Sequence, residues 1–315
     1  MTRILITGGA GFLGSRITKK LTELGYEVHL VLRKFTDKSR IASILSNIVI
    51  HEGDLTTPNC LKQILCKLKP EIVIHCAASG GHSGSKERLS LFNNNILAGF
   101  NLIQALKESA VQRLIHVGGS TCYGAHNHLI SENHVLQPAS AYGAQKACVS
   151  ILLNQACLEY KLPFIELRPF SIYGFGESKN RLIPKAINAA LTGSELPTTI
   201  KDAVHDFIFV DDVVDACIAA LIKPDINHQI FNVGTGVQTS NAAVIGMIEK
   251  LTGRPINKIQ NAYPNHIDDK EQWCANTSLT ENLLGWKAKT TLTEGLQYCI
   301  NDYLATQYEN RSSRH

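Results

Sequence analysis

A glycine-rich turn near the amino terminus constrains the fold of this chain more than any other stretch of its sequence. Arg3 to Thr7 is predicted to form a short apolar strand, and an amphipathic helix is predicted to end at about Leu24. Between them, Gly8, Gly11 and Gly14 have the spacing Gly-x-x-Gly-x-x-Gly. Such glycines allow a tight turn, close approach of the backbone to a pyrophosphate, and close packing of the helix on the strand. The sequence therefore predicts a dinucleotide-binding turn.

Further apolar runs alternate with helical patterns along the first half of the chain. This alternation predicts an α/β fold with a doubly wound parallel sheet. We see no low-complexity linker and no internal repeat. The other strands are predicted at Glu27–Leu32, Ile48–His51, Glu71–His75, Arg113–Val117 and Pro163–Arg168.

The residues after the second strand bear on the choice of cofactor. An Asp or Glu at this point would bind the ribose 2′-hydroxyl of NAD, whereas an Arg suits the 2′-phosphate of NADP. Arg33 and Lys34 follow the strand, and no acid occurs before Asp37. We interpret Arg33 as a 2′-phosphate contact helped by Lys34, with a solvated basic turn as the alternative. Asp54 is expected either to accept a hydrogen bond from the adenine amine or to cap the next helix.

Tyr142 and Lys146 are the strongest candidates for catalysis. They are four residues apart, so a helix would place both on one face. An ammonium beside a phenol favours the phenolate, which would make Tyr142 a proton donor or acceptor usable near neutral pH. An unrelated surface pair is the alternative. The hydroxyls of Ser120 and Thr121 follow the fifth strand, at the edge where open α/β sheets bind ligands.

Two other segments are expected at the same edge of the sheet. Small residues, Ala77 and Ala78, follow the fourth strand and would let a cofactor lie against its tip. A loop over residues 79–85 follows them and could close over a substrate, with His82 as a possible contact.

Composition excludes several classes of protein. Hydrophobic residues make up 44% of the 315 residues and charged residues 18%, as in soluble globular proteins. The net charge of +4 is too small to argue for nucleic-acid binding. No apolar run reaches the length of a membrane span, and the first residues contain no signal-peptide core. The nine cysteines form no Cys-x-x-Cys pair, so we expect a cytoplasmic protein without a metal centre.

Two long helices are predicted to be apolar on more than one face, one over residues 86–109 and the other containing Tyr142. A helix that is apolar on several sides is buried on several sides. We therefore expect a homodimer in which these two helices pair, with coverage by another part of the same chain as the alternative.

Taken together, these motifs resemble the extended short-chain dehydrogenase/reductase family, which contains nucleotide-sugar epimerases, dehydratases and ketoreductases. The resemblance covers nearly the whole chain. The stretches that carry it are Thr7-Gly8-Gly9-Ala10-Gly11-Phe12-Leu13-Gly14, Asn95-Ile96-Leu97-Ala98-Gly99, Tyr142 with Lys146, Arg168-Pro169-Phe170-Ser171-Ile172-Tyr173-Gly174, His205-Asp206-Phe207-Ile208-Phe209-Val210-Asp211-Asp212-Val213, Ile230-Phe231-Asn232-Val233-Gly234-Thr235-Gly236 and Leu283-Leu284-Gly285-Trp286.

The resemblance implies a layout of two interleaved parts. Residues 1–172 would form the Rossmann domain, 206–235 would return to it, and 173–315 would otherwise form a smaller lobe that binds a nucleotide-sugar. The implied substrate contacts are His82, Ser171, Arg181 and His205. The implied cofactor contacts are Gly8, Gly11, Phe12, Leu13, Gly14, Arg33, Lys34, Asp54, Leu55, Ala77, Ala78, Asn95, Tyr142, Lys146 and Pro169.

The resemblance also implies a choice of reaction. Dehydratases of the family carry Thr-Asp-Glu where this chain has Gly119, Ser120 and Thr121, so dehydration is disfavoured. Arg33 without a nearby acid favours an NADPH-dependent ketoreductase, acting on a nucleoside-diphosphate-linked 4-keto-6-deoxy sugar. Tyr142 would donate the proton, and Ser120 or Thr121 would bind the carbonyl oxygen, because the family's usual hydroxyl position is Gly119 here. An NAD-dependent epimerase and a non-catalytic NADP sensor are the alternatives.

Overall fold

The computed structural model describes residues 1–80, 88–124, 126, 128–264 and 272–312. The strands in those residues are β1 (Arg3–Thr7), β2 (Glu27–Leu32), β3 (Val49–Glu52), β4 (Ile72–His75), β5 (Arg113–Val117), β6 (Phe164–Pro169), β7 (Ser171–Tyr173), β8 (Leu196–Thr199), β9 (Val204–Phe209), β10 (Gln229–Val233), β11 (Gln238–Ser240) and β12 (Lys258–Tyr263).

The α-helices of the same residues alternate with the strands of the first half of the chain. They are α1 (Phe12–Glu23), α2 (Cys60–Leu68), α3 (Arg88–Phe92), α4 (Ala98–Lys107), α5 (Ala141–Glu159), α6 (Leu182–Thr192), α7 (Val210–Ile222), α8 (Asn241–Thr252) and α9 (Leu292–Ser312). Short 3₁₀ segments lie at Ser39–Asn47 and Ser120–Cys122, and π-helical turns at Asn93–Leu97 and Thr280–Leu284.

A seven-stranded sheet forms the centre of the molecule, in the order β10-β6-β5-β4-β1-β2-β3. Every neighbouring pair in it is parallel. All residues of β5 and β6 are buried, as expected for strands covered on both faces. The strand order reverses beside β1, which is where doubly wound sheets bind ligands. The predicted Rossmann fold is therefore confirmed.

Two apolar cores cover the two faces of this sheet, because successive side chains of a strand point to opposite faces. Ile4 and Ile6 of β1 belong to the core shared with α1 and α7. Leu5 belongs to the core shared with α2, α4 and α5. The cores fix the helices that begin at the carboxyl edge of the sheet.

The remaining elements form a smaller lobe. Its sheet has the order β11-β9-β7, and β8 pairs with β12. A third core joins α6, α8 and α9 around Phe207, Phe209 and Tyr173. Residues 206–209, which were expected to return to the Rossmann part, lie in β9 of the small sheet. The chain rejoins the Rossmann part with α7 and β10, and we keep the division at residues 172/173 as a proposal.

The predicted long helix over 86–109 is interrupted. Its described portion comprises α3, the π-helical turn Asn93–Leu97 and α4, and it ends at Lys107. Such π turns often occur at functional sites. Across the described helices, we find none with both the length and the apolar character that a membrane span requires.

Candidate active site

The glycine turn after β1 leaves no room for side chains. A Cβ on Gly8, whose φ is +73°, would lie 2.7 Å from the backbone nitrogen of Ala77. A Cβ on Gly14 would lie 2.1 Å from the carbonyl oxygen of Gly8. Gly11 is the N-cap of α1 and provides no side-chain cap, so the N–H groups of the first helical turn, including those of Phe12 and Leu13, stay available to a ligand. An uncapped helix start behind a backbone-only turn fits a pyrophosphate.

The loop after β4 is held by the π-helical turn. Asn95 is buried, and its amide oxygen accepts a hydrogen bond from the Ser79 N–H at 2.7 Å. Its amide nitrogen donates to the Ser79 carbonyl oxygen at 2.8 Å and to Gln145 Oε1 at 2.7 Å. Both the oxygen and the nitrogen of the Asn95 amide therefore form hydrogen bonds within the protein. Asn95, which was predicted as a cofactor contact, positions this loop against α5.

The loop after β4 lies next to both the glycine turn after β1 and the ring of Tyr142. Ala77 is half-buried beside Gly8, and Ala78 is exposed. A Cβ on Gly80 would lie 3.0 Å from the Tyr142 ring, so the backbone of residue 80 packs directly on that ring. His82 lies outside the described residues.

The first two turns of α5 carry the predicted catalytic pair. Ser140 caps the helix by accepting a hydrogen bond from the Gly143 N–H at 3.1 Å. Tyr142 is half-buried in the first turn. Lys146 is buried, and its Nζ donates to the Val117 carbonyl oxygen at 3.0 Å. The ammonium is thus fixed at the carboxyl end of β5.

The segment after β5 packs against this pair. A Cβ on Gly143 would lie 2.5 Å from the Thr121 carbonyl oxygen, which shows how closely α5 approaches it. Ser120 is buried, and Thr121 Oγ1 is buried without a hydrogen-bond partner in the described part of the chain. A Cβ on Gly119 would have Thr121 Oγ1 and Lys146 Cε as its nearest neighbours, both at 3.8 Å. The structure therefore places the Thr121 hydroxyl and the Lys146 side chain beside the same point next to Gly119.

Two stacked histidines lie beneath Lys146. The rings of His75 and His116 are 5.3 Å apart, and His75 Nδ1 lies 2.7 Å from Thr7 Oγ1. Burial, and then the charge of Lys146, lower the pKa of His75 to about 3. His75 is consequently neutral in the physiological range and serves as a core residue. Lys146 is the cation at this point of the site.

The residues after β2 are basic and exposed. Arg33 and Lys34 project at the surface. Asp37, the first acid after the strand, accepts hydrogen bonds from the Ser39 N–H at 2.8 Å and from the Ser39 hydroxyl at 2.9 Å. Arg40 donates two hydrogen bonds to the Gly176 carbonyl oxygen. Both oxygens of Asp37 are therefore engaged locally, away from the end of β2.

Asp54 does not cap α2. Its Oδ1 accepts hydrogen bonds from the N–H and the hydroxyl of Thr56, and the N-cap of α2 is Asn59. The adjacent Leu55 uses its carbonyl oxygen to accept a hydrogen bond from Asn101 on α4. The capping alternative is wrong, and Asp54 instead shapes the turn that leads to α2.

Two of the predicted substrate contacts, Ser171 and His205, lie on the small sheet. Ser171 Oγ lies 3.2 Å from His205 Nδ1, because β7 and β9 are neighbours in the small sheet. Pro169 ends β6 and is buried. Arg181 is the exposed N-cap of α6 and pairs with Glu177 at 3.5 Å. The structure thus joins Ser171 to His205 and gives Arg181 a separate partner.

A buried polar network, missed by the sequence reasoning, supports α5. Arg168 Nε donates to Glu166 Oε1 at 3.0 Å, and the hydroxyl of Ser150 on α5 donates to the other carboxylate oxygen of Glu166. The Arg168 guanidinium lies 4.9 Å from the ring centre of Tyr123. The motif around Arg168 gave a sequence signal, but Ser150 and Glu166 lie outside every motif.

The carboxylates of the His205–Val213 motif join elements together. Asp206 accepts hydrogen bonds from Thr235 N, Thr235 Oγ1, Gly236 N and Ala275 N. Asp211 forms two hydrogen bonds with Arg16 on α1. These acids therefore stabilise the arrangement of β9, α1 and α7, and they lie in the motif that the sequence analysis singled out.

Comparison with known proteins connects this geometry to a family. The family model "NAD dependent epimerase/dehydratase family" matches residues 4–234. The chain belongs to this family.

Relatives within the epimerase/dehydratase family span nearly the whole chain. UDP-glucose 4-epimerase GEPI42 of Cyamopsis tetragonoloba is 29% identical over 327 aligned residues, covering 92% of this chain and 91% of that protein. Among solved structures, MoeE5 in complex with UDP-glucuronic acid and NAD is 28% identical, with a TM-score of 0.87 and coverage of 96% and 99%. UDP-glucose 4-epimerase of Thermotoga maritima with UDP-glucose is 26% identical, with a TM-score of 0.85 and coverage of 97% and 100%.

Proposed function

We propose that the chain is a nucleotide-sugar 4-epimerase that uses a bound nicotinamide dinucleotide. The observation that carries this proposal is that Lys146 is held at the carboxyl end of β5, while Tyr142 packs on the loop after β4 that also adjoins the glycine turn. The named epimerase relatives, similar over nine-tenths of the chain, support it. They favour epimerisation over the ketoreduction that the basic residues after β2 had suggested.

The residues around the glycine turn after β1 fit such a cofactor. The turn of Gly8, Gly11 and Gly14 offers backbone N–H groups to a pyrophosphate, and the small side chains of Ala77 and Ala78 leave room beside it. When bound, the nicotinamide would accept a hydride from a sugar carbon and return it. A nucleotide-sugar of the UDP class would extend from Tyr142 towards Ser171, His205 and Arg181.

Tyr142 and Lys146, both on α5, would carry out the proton transfer. Tyr142 would take the proton of the C4 hydroxyl at its phenolic oxygen and return it after the sugar has turned in the site. An ammonium has three donors, and in the described residues Lys146 gives one of them to Val117. The others would hold a ribose hydroxyl and the oxygen of Tyr142.

Thr121 would bind the reacting oxygen of the sugar. Its Oγ1 is buried, lacks a partner within the described residues and adjoins the space beside Gly119. A hydroxyl held ready at this point can donate to an oxygen whose negative charge grows during the reaction. Ser120, also buried there, is the alternative donor.

A second candidate is an NADPH-dependent ketoreductase of 4-keto-6-deoxy sugars. The basic surface at Arg33 and Lys34 favours it, because Asp37 directs both carboxylate oxygens to Ser39 and leaves the end of β2 without an acid. Dehydration is disfavoured, since Gly119, Ser120 and Thr121 supply no carboxylate.

A homodimer accompanies this proposal. Phe100 on α4 and Ile151, Leu152 and Leu158 on α5 are 39–58% exposed in the single chain. Pairing of α4 and α5 between two copies would remove these apolar side chains from water. Sedimentation velocity tests the pairing: a dimer that dissociates on Ile151→Glu is expected, and a monomeric wild-type protein would refute it.

One assay separates the two functions. The purified protein is incubated with UDP-glucose while NMR follows the C4 epimer, and separately with a nucleoside-diphosphate 4-keto-6-deoxyhexose and NADPH. We expect interconversion of UDP-glucose without net consumption of cofactor. Consumption of NADPH by the keto sugar alone would establish the reductase. Tyr142→Phe is the control, and retention of activity within about tenfold would exclude Tyr142 as the acid and base.

A further inference from the structure

Three histidines lie on one closed loop outside the catalytic pair. The loop begins at Gly124, whose φ is +79°, and a Cβ there would lie 1.8 Å from the Gln137 carbonyl oxygen. The Gln137 N–H donates to the Tyr123 carbonyl oxygen at 3.0 Å, which closes the base of the loop. His126, His128 and His134 lie between these ends.

The three imidazoles converge. One ring nitrogen from each histidine lies within 4.8 Å of the other two. The ring centres of His126 and His134 are 4.5 Å apart, and those of His128 and His134 are 4.8 Å apart. His128 Nε2 lies 2.6 Å from His134 Nε2. Since these two nitrogens share a single contact, at most one of them can carry a proton in it, and the other presents its lone pair.

His126 and His134 each use a further ring nitrogen to contact protein groups. His126 Nε2 lies 3.2 Å from the Tyr123 carbonyl oxygen, so it donates there and leaves Nδ1 with the lone pair. His134 Nδ1 accepts a hydrogen bond from the Ser131 N–H at 2.9 Å, and it lies 2.8 Å from the Ser131 hydroxyl and 3.1 Å from the Ser131 carbonyl oxygen. The Tyr123 carbonyl thus selects the tautomer of His126 that leaves Nδ1 for a metal. Binding through His134 Nε2 requires the proton of that ring to lie on Nδ1, where the Ser131 carbonyl oxygen can accept it.

We propose that His126, His128 and His134 form a binding site for a divalent transition metal of the zinc class. Three imidazoles suit zinc, which then keeps a fourth position for water. Zinc–nitrogen bonds of about 2.0–2.1 Å place tetrahedral ligand atoms roughly 3.3 Å apart, so His128 and His134 need to separate by less than 1 Å.

The histidine loop is hydrogen-bonded to a neighbouring segment, and a cavity beside it admits water. Ile130, between the histidines, donates its N–H to the Cys274 carbonyl oxygen at 2.9 Å, and its own carbonyl accepts from the Asn276 N–H at 2.8 Å. A cavity of about 590 Å³, lined by His128, Leu129 and Cys274 among others, opens beside the cluster. A metal here would cross-link a loop that is already fastened to the segment 274–276, and water could reach its open position.

Calorimetric titration of the full-length protein with Zn²⁺ tests the site, after removal of any affinity tag and treatment with a chelator. We expect one Zn²⁺ per chain and a rise of Tm with Zn²⁺ concentration. His126→Gln, His128→Gln and His134→Gln should each weaken binding by about 100-fold or more. In the Co²⁺-loaded protein, a tetrahedral visible spectrum should appear and be lost in each variant.

His51→Gln is the matched control, because His51 contacts His29 through ring nitrogens 3.0 Å apart in a two-histidine pair. This control should bind Zn²⁺ as the wild type does. Circular dichroism without metal checks that every variant is folded. Absence of Zn²⁺ binding, or binding that survives His134→Gln and His128→Gln in folded protein, would overturn the proposal and leave a hydrogen-bonded histidine cluster. An equal loss in His51→Gln would also overturn it.

Discussion

The hydroxyl oxygen of Thr121 lies 3.8 Å from the position that a Cβ on Gly119 would occupy. A side chain at 119 would therefore project into the space that Thr121 Oγ1 borders. The hydroxyl of Thr121 is buried and has no partner in the described residues. Under the proposed function a substrate oxygen in that space would satisfy it, and Thr121 would supply the hydroxyl that glycine at 119 lacks.

Thr121→Val replaces this hydroxyl with a methyl group of similar size. A buried hydroxyl without a partner costs stability, so we expect the free energy of unfolding to rise by about 1 kcal/mol. We also expect kcat to fall by about 10²-fold, because a donor to the reacting oxygen is lost. Urea unfolding and steady-state kinetics measure the two effects.

Thr280→Val is the control for that experiment. Thr280 is fully buried, and its hydroxyl donates to the Asn232 carbonyl oxygen at 2.7 Å. This variant should lose about 1 kcal/mol of stability because a buried acceptor is left unpaired. If both valine variants destabilise the protein, the functional interpretation of Thr121 fails.

Gly119→Ser should restore part of the activity that Thr121→Val loses. The φ of Gly119 is 168°, an extended conformation open to any residue, and the nearest atoms leave ordinary contact distances. We expect kcat of the double variant to recover by at least about tenfold over Thr121→Val. No recovery in a folded double variant would indicate that the two positions do not serve the same substrate oxygen.

Asn95→Ala removes the contacts that hold Ser79 and Gln145. We expect a loss of stability of about 1–3 kcal/mol and cofactor binding weakened by about tenfold, since the loop after β4 borders Gly8. Fluorescence titration with NAD measures the second effect. Asn94→Ala is the neighbour control. In the described residues Asn94 donates to the Ser90 hydroxyl at 3.3 Å, within the same helical segment, so its loss should change neither quantity appreciably.

Stability should fall between about pH 4.5 and pH 7 through Glu177. Burial raises the pKa of its carboxyl from 4.5 to about 7, with Arg181 opposing the shift. Below pH 4.5 the carboxyl is protonated in both states. At higher pH the unfolded state loses the proton first, which favours unfolding until the folded state also ionises near pH 7.

Glu177→Gln should make the free energy of unfolding depend less on pH. We expect the change in unfolding free energy between pH 5 and pH 8 to shrink by roughly 2–3 kcal/mol relative to wild type. Arg181→Gln should enlarge it, because the opposing charge is removed. Urea unfolding at both pH values measures each change, and parallel pH profiles for all three proteins would contradict the assignment to Glu177.

The sequence predicted those parts of the fold that local pattern determines. Apolar runs located β1, β2 and β5 at their observed bounds, because buried parallel strands are nearly continuous apolar segments. It predicted one continuous helix over 86–109, whereas the π turn at Asn93–Leu97 interrupts it. That turn forms where the amide of Asn95 meets Ser79 and Gln145, a tertiary contact with no local pattern.

Site prediction had the same limit. The spacing of Tyr142 and Lys146 placed them on one helix face, but the Val117 carbonyl that fixes Lys146 belongs to another strand. The capping role offered for Asp54 failed because α2 begins at Cys60, beyond its reach. The cluster of His126, His128 and His134 was not predicted from the sequence, because its imidazoles converge only in the folded loop.

The position of β10 at the edge of the large sheet has a consequence for synthesis on the ribosome. Its partner β6 is complete at residue 169, yet β10 spans residues 229–233. Until those residues emerge, β6 is an edge strand with unpaired backbone groups, and such edges promote association with other chains. A nascent chain stopped near residue 172 therefore carries an unfinished sheet, and the amino-terminal part cannot complete its folding before about three-quarters of the protein has been made.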